Sequence, residues 1–335
     1  MPTTTKKIAV LGAGSWGTAL AVQLGRNGHQ VSLWGHRADH LSEIEREREN
    51  LHYLPGIPLP STVTTQADLQ QAVSDAVMVL VVVPSSAFRT MLQQLKPILS
   101  ADALLAWATK GVEKSSHKLL HQVVEEELGV KHPKALLSGP SFAKEVAQGL
   151  PTAITIASDS VDAAHTVADL FHSETFRCYT SQDLPGVEIG GTTKNILAIA
   201  AGIADGLGFG SNTRAALMAR GLHAQMKLGI RMGGQPETFM GLSGLGDLVL
   251  TCTDDQSRNR RMGLAVGSGA SIDQALLAIG QVVEGLDAAR DVSQMAHDLQ
   301  IEMPITEQVA QVLHQGKPPR DAVRDLLQRD RKAEQ

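Results

Sequence analysis

A lysine embedded in an apolar, glycine-rich run is the residue of this chain best placed to exchange a proton. Lys194 sits in Glu188-Ile-Gly-Gly-Thr-Thr-Lys-Asn-Ile-Leu-Ala-Ile-Ala-Ala-Gly. Helical spacing over 187–205 puts Val187, Gly190, Gly191, Leu197, Ala198 and Ala201 on its face, with Ile189, Ile196, Ile199 and Ile203 opposite. A helix apolar all round is a buried helix. An ammonium there is costly unless paired, and burial moves its pKa toward the range of a neutral-pH acid or base. The glycines beside it are read as room for a ligand. The alternative is a lysine snorkelling past small neighbours to water.

Two further clusters suggest anions. Ser257-Arg258-Asn259 follows Gly244-Leu-Gly-Asp247-Leu-Val-Leu-Thr251-Cys252-Thr253. Ser257 is a good N-cap for a helix running toward Val266, so the first amides, the Asn259 amide and the Arg258 fork would suit a phosphate monoester. Arg260 and Arg261 read as a solvated basic face. Asp247 would orient either a substrate hydroxyl or the lysine, and the residues alone leave both open. The second cluster is Gly12-x-Gly14-x-x-Gly17, where Gly12 makes the tight turn, Gly14 admits a pyrophosphate and Gly17 lets helix and strand approach.

The elements around the glycines give that pattern its weight. Ile8 to Leu11, Gln30 to Trp34, Val77 to Val83, Ala103 to Trp107 and Ala135 to Leu137 are short apolar or β-branched runs. Helical stretches separate them: Ser15 to Asn27, His40 to Asn50, Ser86 to Leu95 and Ser116 to Leu128. This alternation predicts a doubly wound, mostly parallel sheet, an α/β Rossmann domain. Thr152 to Ala157 and Thr175 to Thr180 extend it beyond six strands, and Leu54 to Pro60 is a loop. After Pro185 the texture turns to Ala, Gly and Leu at helical spacing. The predicted division is a dinucleotide-binding domain over 1–185 and an all-helical domain over 186–335, with a solvated tail from Arg329 to Gln335.

Strand ends are where such sheets bind ligands. The second strand ends Leu33-Trp-Gly-His36-Arg37, without the acid that would hold a ribose 2′-hydroxyl, so His36 and Arg37 favour NADP over NAD. Asp39 nearby keeps NAD open. Lys110, in Thr109-Lys-Gly, lands at the cofactor edge, and Ser138-Gly-Pro-Ser-Phe-Ala-Lys144 closes a later strand.

Composition excludes other classes. The 335 residues carry a net charge of −5, 43% hydrophobic and 19% charged residues, which favours neither disorder nor a nucleic-acid partner. The longest apolar run, Ala76 to Val83, is far short of the roughly 20 residues of a membrane helix. Lys6-Lys7 and the following residues imitate a secretion signal, but glycines 12, 14 and 17 break the apolar stretch. Cys178 and Cys252, the only cysteines, are too few for a disulfide framework and lack metal-ligand spacing, although one bridge between them stays open; a reducing cytoplasm is the simpler setting.

The motifs GAGSWGTALA, LWGHR, YLPGI, VVVPS, WATKG, SGPSFAKE, GGTTKNILAIAAGIADGLGFG, GLGDLVLTCT, QSRNRR and GQVVEG together resemble the bacterial-type NAD(P)-dependent glycerol-3-phosphate dehydrogenases. The resemblance runs from residue 8 to beyond residue 300. It implies a Rossmann domain followed by an all-α domain like that of 6-phosphogluconate dehydrogenase, often in a dimer, and a role in supplying phospholipid precursors. Beside the Gly12, Gly14 and Gly17 of the glycine pattern, it implies cofactor contacts from Ser15, Trp16, His36, Arg37, Ala143, Val282 and Glu284, with Lys110 and Arg258 near both ligands. Gly139, Ser141, Asp247, Ser257, Arg258 and Asn259 would bind the phosphorylated triose, and Lys194 would carry the proton. Arg37 departs from the acidic residue of several relatives, which bears on cofactor preference and leaves the chemistry alone. Competing classes fit less well. A 3-hydroxyacid dehydrogenase would have asparagine where Ala198 stands, a nucleotide-sugar dehydrogenase needs a catalytic cysteine, and a dinucleotide sensor needs no reactive lysine.

Overall fold

The computed structural model describes residues 5–114 and 116–329, so the expected solvated tail lies, beyond Arg329, outside the described residues. Contacts divide the chain into two compact units. One comprises residues up to Glu113 together with Lys118–Glu188; the other comprises Lys114–His117 and the residues from Ile189 onward.

The first unit alternates strand and helix: β1 (Lys7–Leu11), α1 (Ser15–Arg26), β2 (Gln30–Trp34), α2 (Ala38–Glu47), β3 (Val63–Gln66), α3 (Leu69–Val73), β4 (Met78–Val81) and α4 (Ser85–Leu95). There follow β5 (Leu104–Trp107), α5 (Leu120–Leu128), β6 (Lys134–Ser138), α6 (Ala143–Gln148), β7 (Thr152–Ala157), α7 (Val161–Phe171) and β8 (Phe176–Ser181). The eight strands lie in the order β3-β2-β1-β4-β5-β6-β7-β8. All neighbours are parallel except β6 and β7. Strand side chains alternate between faces. Ile8, Val10, Leu33, Leu80, Ala106 and Ile154 therefore enter one core with Leu20 and Leu24 of α1, while Ala9, Leu11, Val79, Leu105 and Trp107 enter another with Phe88, Leu92 and Leu95 of α4. A sheet covered on both faces needs the near-continuous apolar strands seen in the sequence.

Four elements of this unit, β3, α3, α6 and α7, are not named from the sequence, and for β3 and α3 the reason is physical. The sequence of β3 is only Val-Thr-Thr-Gln with one buried residue, and α3 is five residues started by Asp68, whose carboxylate accepts from the Gln71 N–H. Both are too short and polar for periodicity to register. α5 starts only at Leu120, four residues later than its spacing suggests.

The described part of the second unit is helical throughout. α8 (Leu184–Gly206), which begins in the first unit, is followed by α9 (Ser211–Arg231), α10 (Pro236–Met240), a π-helical turn at Leu242–Gly246 and α11 (Asp247–Thr253). Next come α12 (Arg258–Gly267), α13 (Ile272–Ile279), α14 (Glu284–Asp298), α15 (Pro304–Gln315) and α16 (Pro319–Leu327). Glycines set one of its close helix contacts. A Cβ on Gly202 would meet the Arg260 carbonyl oxygen at 2.2 Å, and one on Gly263 would meet that of Ile199 at 2.1 Å. α8 and α12 thus cross backbone against backbone.

Candidate active site

The first unit's cluster begins at the switch point of the strand order, where β1 is flanked by β2 and β4. The Gly12 N–H donates to the Trp34 carbonyl oxygen at 2.8 Å, and Gly12 takes φ +130°, with the Val82 oxygen 2.3 Å from where its Cβ would be. A Cβ on Gly17 would lie 1.8 Å from the Gly12 oxygen. These two glycines are required by packing. Gly14 differs: a Cβ there would meet nothing within 4 Å. The turn therefore fits a pyrophosphate, presenting open backbone at the start of α1 where the helix favours an anion.

Other predicted residues of this unit lie beyond strand ends. His36 and Arg37 follow β2 and are exposed, Arg37 at the N-cap position of α2. Lys110 follows β5, half-buried, behind Thr109, whose hydroxyl donates to the Val83 carbonyl oxygen at 2.8 Å. Gly139 takes φ +143°, where a side chain is strained and its Cβ would crowd Ile154 at 3.1 Å, and it turns the chain so that the Ser141 hydroxyl donates back to the Gly139 oxygen at 3.0 Å. Ala143 opens α6 and Trp16 packs against the core. The Ser15 hydroxyl donates to the Tyr53 carbonyl oxygen at 2.8 Å.

In the second unit, Lys194 is 7% exposed and Asp247 1%. The Lys194 Nζ donates to Asp247 Oδ1 at 2.7 Å and to Thr251 Oγ1 at 2.8 Å. Thr251, one turn beyond Asp247 on α11, donates its own proton to the Asp247 carbonyl oxygen at 2.6 Å. A charge out of water needs such compensation. In this structure the Asp247 carboxylate holds the lysine. Thr251 carried no role in the sequence reading, and only its four-residue spacing from Asp247 hinted at one.

The π-helical turn explains how Asp247 reaches α8. Its five-residue bond, Gly246 N–H to the Gly241 oxygen at 3.1 Å, widens the helix just before Asp247, a device common at functional sites. A Cβ on Gly190 would meet the Ser243 oxygen at 2.5 Å. This corrects the reading of Gly190 as ligand space: it admits the backbone of that turn.

A second network lies one residue on. Asn195 Oδ1 accepts from Asn259 Nδ2 at 2.8 Å, Asn195 Nδ2 donates to Glu284 Oε2 at 3.2 Å, and the Gly285 N–H donates to Asn259 Oδ1 at 2.9 Å. Asn259 therefore has its carbonyl and one N–H committed to the protein. Asn195 was not singled out by sequence, since a polar neighbour of a lysine carries no signal of its own. Ser257 caps α12 as its residue type predicts, its hydroxyl accepting from the Arg260 N–H at 3.2 Å, and Arg258 is half-buried. Arg260 corrects its reading as solvated: it is 8% exposed and pairs with Asp205 at 2.5 Å and Asp255 at 2.9 Å. Arg261 is exposed, as is Val282. Both cysteines are free, and burial pushes each thiol up to about 12, so neither is a thiolate nucleophile at neutral pH.

A glycine turn with open backbone at the switch point of a mostly parallel sheet, with a helical unit holding a buried lysine against a carboxylate, fits a dinucleotide-dependent dehydrogenase. The family model for the NAD-dependent glycerol-3-phosphate dehydrogenase N-terminus matches residues 7–164, and that for its C-terminus matches residues 183–324. A glycerol-3-phosphate dehydrogenase (NAD(P)+) of Thioalkalivibrio sulfidiphilus is 56% identical over 327 residues, 98% of each chain. Its counterpart in Pseudoalteromonas translucida is 52% identical over the whole of both chains. The crystal structure of glycerol-3-phosphate dehydrogenase from Coxiella burnetii is similar with a TM-score of 0.94 and 49% identity, covering 97% of this chain and 99% of that one. The chain belongs to the NAD-dependent glycerol-3-phosphate dehydrogenase family.

Proposed function

We propose that the protein interconverts sn-glycerol 3-phosphate and dihydroxyacetone phosphate with NAD(P), supplying glycerol 3-phosphate for phospholipid synthesis. The observation that carries the reading is the buried Lys194 ammonium held at 2.7 Å by Asp247 in a chain of this family. When bound, the nicotinamide supplies or accepts the hydride at C2 of the triose. Reduction builds negative charge on the carbonyl oxygen, and Lys194 stabilises that charge and delivers the proton. Asp247 keeps the amine protonated, and Thr251 restricts its orientation. In the reverse direction Lys194 is the base.

Substrate phosphate falls to Ser257, the Arg258 fork, the remaining N–H of Asn259 and the first amides of α12, with Lys110, Gly139 and Ser141 completing the contacts. This remote grip places C2 without taking part in the chemistry. Gly12, Gly14, Ser15, Trp16, Gly17, Ala143, Val282 and Glu284 contact the dinucleotide. Arg37 and His36, with no acid at the end of β2, favour NADP over NAD. Residues 1–185 form the dinucleotide-binding domain and 186–335 the substrate domain. A homodimer in the cytoplasm is part of this reading and rests on the family resemblance; among the described residues no helix is long and apolar enough to cross a membrane. The test is absorbance of NADPH, then NADH, with dihydroxyacetone phosphate, for wild type and Lys194→Ala. Wild type consumes the reduced cofactor, and the variant loses about 100-fold or more in kcat; a variant within a few-fold of wild type removes Lys194 from the mechanism.

A further inference from the structure

The loop holding YLPGI has no task in the function just proposed, yet it is strongly tied down. Arg48, which caps the C-terminus of α2, takes φ +53° and donates through its guanidinium to the carbonyl oxygens of Pro60 at 2.8 Å and Val63 at 2.7 Å. The Leu59 N–H returns to the Arg48 oxygen at 2.8 Å, and the Gly56 N–H donates to Glu49 Oε1 at 2.6 Å. The loop is thus closed on itself at both ends.

Its inner end is Asn50, fully buried at 0% exposure. Asn50 Nδ2 donates to the Ala13 carbonyl oxygen at 3.0 Å and to Thr18 Oγ1 at 2.8 Å. Asn50 Oδ1 accepts from the Tyr53 N–H at 3.1 Å and from His40 Nε2 at 3.0 Å. The Tyr53 amide can only donate, so the carboxamide has one orientation. Tyr53 in turn accepts from Ser15 through its carbonyl oxygen. One side chain 37 residues downstream therefore grips the glycine turn between Gly12 and Gly14.

That grip has a directional consequence. The Ala13 carbonyl and the Gly14 N–H belong to one planar peptide, and in the trans form they point to opposite sides. With the carbonyl drawn toward Asn50, the Gly14 N–H is turned the other way, at the start of α1, beside a Cα that has open space around it. We infer that Asn50 is a positioning residue that aims the Gly14 N–H at the dinucleotide's phosphates, with the 48–60 loop as the wall that presets the turn. This rests on the glycine turn holding the dinucleotide.

The experiment titrates full-length protein with NADPH by fluorescence and follows thermal unfolding without ligand. Wild type must bind NADPH first; failure there overturns the proposed function itself, and this inference with it. Asn50→Asp preserves shape and both acceptor bonds while removing both donors. Its NADPH Kd rises about tenfold or more, the scale of one lost charge-assisted hydrogen bond, and kcat at saturating NADPH stays within about threefold. A merely structural role would lower the melting temperature and leave Kd within about twofold, which overturns the proposal. A Kd ratio that collapses to unity as salt is raised would assign the effect to charge repulsion, which salt screens, and overturns it equally. Should Asn50→Asp not fold, His40→Phe keeps ring packing against Tyr53, at a centroid distance of 5.3 Å, and removes the donor to Asn50. A Kd raised about threefold or more supports the aiming role, and an unchanged Kd overturns it.

Discussion

Replacing Asp247 by asparagine tests the lysine's protonation directly. The carboxylate oxygen is 2.7 Å from Nζ and both groups are buried. Two unit charges about 4 Å apart interact by about 4 kcal/mol at an effective dielectric of about 20, which corresponds to about three pH units of proton affinity. The alkaline limb of kcat for ketone reduction should therefore move about three pH units toward acid, each unit above the new limb costing about tenfold. Stability gives a second readout. Leaving the ammonium without its counter-charge costs about 3–5 kcal/mol, while deprotonating an ordinary lysine at pH 7 costs about 4.6 kcal/mol. Because the two routes cost about the same, the variant should lose about 3–5 kcal/mol at pH 7. Deprotonation becomes cheaper as pH rises, so the gap from wild type should narrow toward about pH 10. Steady-state kinetics across pH and denaturant titrations at two pH values measure both effects. Superimposable pH profiles would refute the assignment of Asp247 as the group that keeps Lys194 charged.

Two further outcomes concern other sites. Arg258→Ala should raise the KM for glycerol 3-phosphate by about 10- to 150-fold with kcat little changed, the measure of a charged hydrogen bond made in ground and transition states alike; an unchanged KM contradicts the phosphate role. His121 Nδ1 lies 2.5 Å from Glu188 Oε2. Burial alone would lower its pKa, but the Glu188 hydrogen bond and charge outweigh burial and the net shift is upward. A raised folded-state pKa gives stability that is fully present below about 6.5 and lost as pH rises through the higher folded value. Urea titrations should show that loss in wild type and not in Glu188→Gln.

The sequence alone determined what local spacing controls. The glycine turn was legible because strand, turn and helix follow one another within a few residues. The burial of Lys194 was legible because a helix apolar on every side has nowhere to go but inside, and the Ser257 cap because a cap bonds within its own first turn. Tertiary structure alone decided pairings between distant segments. Lys194 meets a carboxylate 53 residues away, brought within reach by a π-helical turn that no periodicity announces. Arg260 looked like a solvated charge until Asp205, on another helix, was seen to cover it. Gly190 looked like space for a ligand, and the backbone at Ser243 fills that space. Asn50 read only as the last residue of a helical stretch, although its carboxamide aligns a peptide in a distant turn. Periodicity reports which way a residue faces, whereas partners are chosen by how the elements pack, and that choice depends on the whole chain.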